Sequence, residues 1–148
     1  MESKQLENLE LEEQALVQQS MEARELAYCI YSNFKVGAAL RLADGSVITG
    51  CNVENSSYGL TICAERTAIV KAVSEGRAVK TLEAVAVSAA SKAQIVAPCG
   101  ACRQVLGEFN PNVKVYLHNA ENGTVGITNL NFLLPACFNF EAEMNCQS

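Results

Sequence analysis

The sequence predicts an α/β fold, a mixed β-sheet with helices on its faces. Three observations carry that reading. Stretches of helical and of strand periodicity alternate along the chain in the order α-β-β-α-β-α-β-β-α. One segment, LEAVAVSAA at residues 82–90, is apolar almost throughout, as a strand covered on both faces must be. The 148 residues contain no repeat, low-complexity tract or Gly/Ser/Pro-rich linker, which points to one domain spanning 1–148.

The elements follow in order. Residues 5–30 place Leu9, Leu16, Ala23, Ala27 and Ile30 at helical spacing among many Glu and Gln, predicting an amphipathic helix whose first residues fray. Phe34, Val36, Ala38, Leu40 and Leu42 alternate as in a strand; ADGS makes a turn at Gly45, and SVITGCNV returns as the second arm of a hairpin. ENSSYGL reads as a polar loop. Residues 62–75 carry Ala64, Ala68, Ile69, Ala72 and Val73, a second helix closed by Gly76 in a left-handed cap. After the buried strand, a third helix starts near Pro98 and ends before Asn110-Pro111. VKVYLH is a strand, ENG turns into the short strand TVGI, and residues 129–134 form a last short helix stopped by Pro135.

Composition narrows the function. With 49% apolar and 18% charged residues the chain is globular rather than disordered. Its net charge of −5 argues against a surface built to wrap nucleic acid. The acidic start MESKQLENLELEEQ is the reverse of a secretory signal, and no run approaches the ~20 apolar residues of a membrane span, so a cytoplasmic location is expected. Residues 1–10 and 141–148 are expected to be peripheral. A disulfide framework would need an oxidising compartment, which nothing in the sequence suggests; some of the seven cysteines read as small buried hydrophobes, and a spaced subset suits a metal ion.

That subset is Cys63, Cys99 and Cys102. PCGAC spaces two thiols as C-x2-C at a helix start, so that both can grip one ion, and Cys63 stands at the start of a different helix. Both helix N-termini would aim partial positive charge at one point and favour thiolates. Three protein ligands leave one tetrahedral corner for water, the mark of a catalytic zinc site. Two other readings stay open: a structural site closed by Cys51 as fourth ligand, and a redox pair at Cys99 and Cys102. Glu65, two residues after Cys63, can relay protons beside the ion, or merely complement the helix dipole. Three thiolates on Zn²⁺ leave an excess negative charge; Arg66 and Arg103 are candidates to drain it by hydrogen bonds to sulfur, or are ordinary surface arginines. His118 is the sole histidine, which excludes a His-rich centre, and it has no nucleophile elbow nearby for a Ser-His-Asp triad. Phosphate-loop and dinucleotide fingerprints are absent.

C-x-E followed by P-C-x-x-C is the signature of zinc-dependent deaminases. The chain resembles the small cytidine deaminases of pyrimidine salvage through YSNFKVGAAL, GCNVENSSYGLTICAERTA, PCGACRQV and NFLLPACF, nearly everything after residue 28. The resemblance implies a three-layer α-β-α sandwich around a five-stranded mixed sheet, assembled as a homotetramer with pockets completed by neighbouring subunits. It implies one Zn²⁺ per subunit on Cys63, Cys99 and Cys102, with Glu65 as proton shuttle. It places Asn52 and Glu54 on the ribose 3′-hydroxyl, Phe34 as an aromatic wall against the base, and Ala64 backbone groups at the pyrimidine edge. Tyr58 and Phe138 match residues that reach into a neighbour's pocket. Where many relatives have alanine this chain has Ser56, and little change is expected because the backbone makes the contact there. The implied activity is hydrolytic deamination of cytidine and 2′-deoxycytidine. The same chemistry on another aminopyrimidine nucleoside, such as an antibiotic, and a non-catalytic zinc-binding interaction module are the alternatives.

Overall fold

The computed structural model describes residues 1–140. The expected tail at 141–148, with Cys146, lies outside them. One sheet carries the whole described chain. Its strands are β1 (Glu2–Gln5), β2 (Val36–Leu42), β3 (Val47–Cys51), β4 (Leu82–Ala89), β5 (Lys114–Asn119) and β6 (Thr124–Asn129), in the spatial order β1-β6-β5-β4-β2-β3. Only β4 and β5 run parallel; the other pairs are antiparallel. Helix α1 (Leu11–Arg24) covers one face, and α2 (Ala64–Ser74), α3 (Gly100–Phe109) and α4 (Leu130–Leu133) belong to the other.

The sheet therefore has six strands, not the five expected. The extra one is β1, formed within residues 1–10, which were expected to be peripheral. Its sequence ESKQ has no apolar alternation, and all four residues are exposed. It is held by backbone pairing from Glu2↔Ile127 to Gln5↔Thr124, an interaction that side-chain pattern does not announce. Helix α1 is shorter than the 5–30 span. It starts where the Glu10 N–H donates to Glu13 Oε2 (3.2 Å), half of a capping-box arrangement, and it stops at Arg24.

Side-chain size sorts the two faces of the central strands. Along β4, Ala84 and Ala86 face α1 with Ala39 of β2, whereas Val85 and Val87 face the other side with Leu40 and Leu42. Small residues under α1 bring it close to the sheet, with Leu16, Val17 and Tyr116 filling the remaining space. The larger cluster lies beneath α2, α3 and α4, around Leu40, Ile69, Val87, Leu106, Val115 and Leu117.

Two glycines set the helix distances. A Cβ on Gly37 of β2 would collide with the backbone of Ser20 and Arg24 in α1. A Cβ on Gly50 of β3 would lie 2.5 Å from the Ala68 nitrogen and 2.6 Å from the Ala64 oxygen in α2. Backbone cannot rotate aside as a side chain can, so α2 rests on β3 at a separation only glycine allows. Gly50→Ala is accordingly expected to cost about 3 kcal/mol in urea unfolding, the upper end for overpacking. Gly59→Ala, with nothing within 4 Å of the added methyl, is the control and should stay within about 0.5 kcal/mol. Equal costs at the two positions would refute the close-approach account.

Candidate active site and metal centre

Chain geometry brings the two cysteine motifs together. Cys63 is the N-cap of α2, Cys99 is the N-cap of α3, and Cys102 sits in the first turn of α3. Their three sulfurs lie within 4.8 Å of one another. Cys63 Sγ and Cys99 Sγ are 3.8 Å apart. A tetrahedral ion with metal–sulfur bonds of about 2.3 Å needs sulfurs about 3.8 Å apart, so the donor set fits one zinc ion. Among the described residues no fourth His, Cys, Asp or Glu joins this group. Cys51 instead directs its thiol at the Leu26 carbonyl (3.5 Å), so the closed four-ligand reading has no support in the geometry.

The thiols share their protons unequally. Cys63 is held down to about 5, chiefly by its hydrogen bond with Cys102 and further by Arg66 and Cys99, with burial opposing. Cys102 is pushed up, first by holding its proton toward Cys63 and then by burial. A bound divalent ion displaces such protons, since thiolate is the ligand.

Glu65 is 3% exposed on the first turn of α2, with Oε2 3.6 Å from Cys102 Sγ. Burial, and after it the negative charge of Cys63, raise its carboxyl above the usual range. Arg66 extends Nη2 to Cys63 Sγ (3.6 Å), where the sulfur holds its guanidinium protonated. Arg103 goes elsewhere. Its Nε donates to the Pro98 carbonyl and its Nη1 to the Leu133 carbonyl, both at 2.8 Å, so it ties the PCGAC turn to α4. It thereby braces the turn that carries Cys99.

Above the sulfurs lies a cavity of about 210 Å³ whose lining includes Phe34, Asn52, Cys63, Ala64, Glu65 and Cys99. Phe34 falls just outside β2, after Asn33 in a left-handed conformation (φ 57°) that turns the chain at this point. Asn52 fixes that turn by accepting from the Val36 N–H and donating to the Phe34 carbonyl, each at 2.8 Å. Thr61 also lines this cavity, and forms part of a second, open depression of about 400 Å³ with Tyr31, Ser32, Glu54 and Tyr58. The two depressions thus share a wall. Tyr58 is 74% exposed and meets Tyr31 edge-on with ring centroids 5.7 Å apart. Phe138 lines neither depression and is 67% exposed, its carbonyl accepting from Gln104 Nε2 at 2.8 Å.

His118 is buried away from this chemistry. It lies on the same face of β5 as Tyr116, toward α1, with Nδ1 2.8 Å from Ser88 Oγ. The linings Thr61, Val87, Val96 and Ala97, and the loop residues Tyr31 and Ser32, were not singled out by sequence reasoning. They lie in loops or in a uniformly apolar strand, where no periodicity separates lining from core.

Comparison with known proteins agrees with this geometry. Residues 11–118 match the family model described as the cytidine and deoxycytidylate deaminase zinc-binding region. A cytidine deaminase of Halalkalibacterium halodurans is 52% identical over 136 residues, 91% of this chain and 99% of that protein. One from Sporosarcina psychrophila is 50% identical over 127 residues, 85% of this chain and 90% of that protein. The crystal structure of cytidine deaminase from Burkholderia pseudomallei superposes with a TM-score of 0.79 at 49% identity, covering 84% of this chain and 97% of that one. With three thiols spaced for one zinc and a buried carboxylate against them, the chain belongs to the cytidine and deoxycytidylate deaminase family.

Proposed function

We propose that this chain is a zinc-dependent hydrolase that converts cytidine and 2′-deoxycytidine to uridine and 2′-deoxyuridine with release of ammonia, a step of pyrimidine salvage. The observation that carries the reading is the buried Glu65 carboxylate, 3.6 Å from a ligand sulfur on the floor of a cavity walled by Phe34.

When bound by Cys63, Cys99 and Cys102, zinc supplies a Lewis acid that lowers the pKa of a water from about 15.7 toward 7. The chain's own groups do the rest. Phe34 and the buried backbone at Ala64 hold the pyrimidine with C4 over the sulfurs. Glu65 accepts the proton of the attacking water and passes it to N3, which makes C4 electrophilic. The water oxygen bonds to C4, and the ring C=N electrons settle on the protonated N3. Glu65 then takes the proton of the new hydroxyl and delivers it to the exocyclic amine; the C4–N bond breaks, and ammonia leaves as the carbonyl forms. Glu54 and Asn52 lie on the sugar side. Asn52 spends one hydrogen bond of each polar atom on the Phe34 turn and keeps one donor and one lone pair for a ribose hydroxyl.

Exposed Tyr58 and Phe138 support a homotetramer in which neighbouring subunits complete each pocket. No helix among the described residues is long and apolar enough to cross a membrane, and the proposed location is cytoplasmic. The negative charge favours a free nucleoside over a nucleic acid.

Three outcomes test this reading. Glu65→Gln should keep zinc and fold yet lose more than the ~10²–10⁴ of one general acid–base group, because a single carboxylate moves every proton; near-normal turnover, followed by the ultraviolet change of cytidine, would falsify the shuttle role. Cys102→Ala should bind well under one zinc per chain by atomic absorption, and a full equivalent there would sink the ligand set. Sedimentation equilibrium should return four times the chain mass of 15.9 kDa, and a monomer mass would remove the shared-pocket arrangement.

A further inference from the structure

The sugar-side depression has a hydrogen-bond hub that includes Ser32, a residue the reaction outlined above leaves without a role. The Ser32 hydroxyl donates to Glu54 Oε2 at 2.6 Å, and its oxygen accepts from the Phe34 N–H at 3.0 Å. The other carboxylate oxygen, Glu54 Oε1, accepts from the backbone N–H groups of Tyr31 (3.0 Å) and Ser32 (3.1 Å). Three donors therefore come to one carboxylate from a single turn, and two of them use up Oε1. Oε2, with Ser32 as its one partner among the described residues, is the oxygen left able to accept from a ligand. The same turn carries Phe34, whose carbonyl is held by Asn52. One hydroxyl thus links the carboxylate of the outer depression to the aromatic wall of the inner cavity.

We propose that Ser32 is a positioning residue for the nucleoside sugar: its hydroxyl orients Glu54 Oε2 toward a sugar hydroxyl. The inference rests on the reading that Glu54 faces the sugar. Without the hydroxyl, the carboxylate keeps its two backbone donors at Oε1 and can swing about them, so Oε2 loses its direction. The Ser32 hydroxyl is the foremost influence holding the Glu54 carboxyl below the usual range, which keeps it an acceptor throughout the neutral range. A sugar lacking the hydroxyl that Oε2 accepts from gains nothing from that orientation. A merely structural serine would affect every substrate alike.

The test is steady-state deamination of cytidine and of 3′-deoxycytidine by the zinc-loaded enzyme, for the unmutated chain, Ser32→Ala and Ser32→Thr. Ser32→Ala should lower kcat/KM for cytidine about tenfold, the scale of one hydrogen bond to a charged group, mainly through KM. It should leave 3′-deoxycytidine within about twofold, and Ser32→Thr, which restores a hydroxyl, should recover most of the cytidine loss. Equal losses on both substrates, or no loss on either, overturn the role of Ser32 while the deaminase reading stands. An unmutated enzyme that does not discriminate between the two nucleosides overturns the sugar-facing role of Glu54 and the proposal with it. Absence of any cytidine turnover by the unmutated enzyme overturns the functional reading itself.

Discussion

The structure depends on the convergence of two helix N-termini at one point beside the sheet. Cys63 caps α2 and Cys99 caps α3, elements separated in sequence by the whole of β4. Each cap is anchored by ordinary helix geometry: the Cys63 carbonyl accepts from Thr67 N–H, and the Cys99 carbonyl accepts from Arg103 N–H. What brings them together is the packing of α2 on β3 at glycine distance and the crossover from β4 through α3 to its parallel neighbour β5. A spacing of 3.8 Å between two sulfurs leaves little slack, so errors of an ångström in either helix position would unmake the tetrahedral edge.

That convergence creates an electrostatic problem as well as a site. Three sulfurs and the Glu65 carboxylate meet in one small region, with Glu65 and Cys102 withdrawn from water, Cys63 half-buried and Cys99 exposed. Zinc answers most of it with two positive charges, and the helix N-termini contribute partial ones. Arg66 supplies a further full charge against Cys63, at the cost of an Nε that has no hydrogen-bond partner among the described residues. Arginine suits this place because it stays charged when partly desolvated. The compensation is local, coming from the same first turn of α2 that carries Glu65.

Much of this was legible in the sequence for a physical reason: metal ligands need fixed residue types at fixed spacing, and both survive projection onto one dimension. The core strands were legible because burial on both faces removes polar residues, as in β4. Strand β1 was not, since an exposed edge strand is specified by its partner's backbone rather than by its own side chains. Where the guanidiniums of Arg66 and Arg103 would point was only half visible. Adjacency to a cysteine motif placed both near the sulfurs, but which way each guanidinium points depends on the carbonyls within reach. For Arg103 those are Pro98 and Leu133, thirty residues apart from it in the second case. Ser32 and Thr61 carried no signal at all, because a small hydroxyl residue in a loop has many local uses and only the fold reveals which one it serves.

The pocket divides along the same line. Its inner cavity sets the first turn of α2, with Ala64 and Glu65 almost fully buried, against Val36 and Val87 of the sheet, and loop residues such as Thr61, Val96 and Ala97 complete the lining. Its outer depression is made from a turn and a loop, with Tyr31, Ser32, Glu54 and Tyr58 meeting across hydrogen bonds and one aromatic edge. Rigid secondary structure suits the reacting centre, where small displacements are costly. Hydrogen-bonded loop contacts suit recognition, because they can be exchanged without disturbing the core. The turn at residues 31–36 belongs to both parts, and the side chains that brace it, Asn52 and Ser32, join the wall of the inner cavity to the carboxylate of the outer depression.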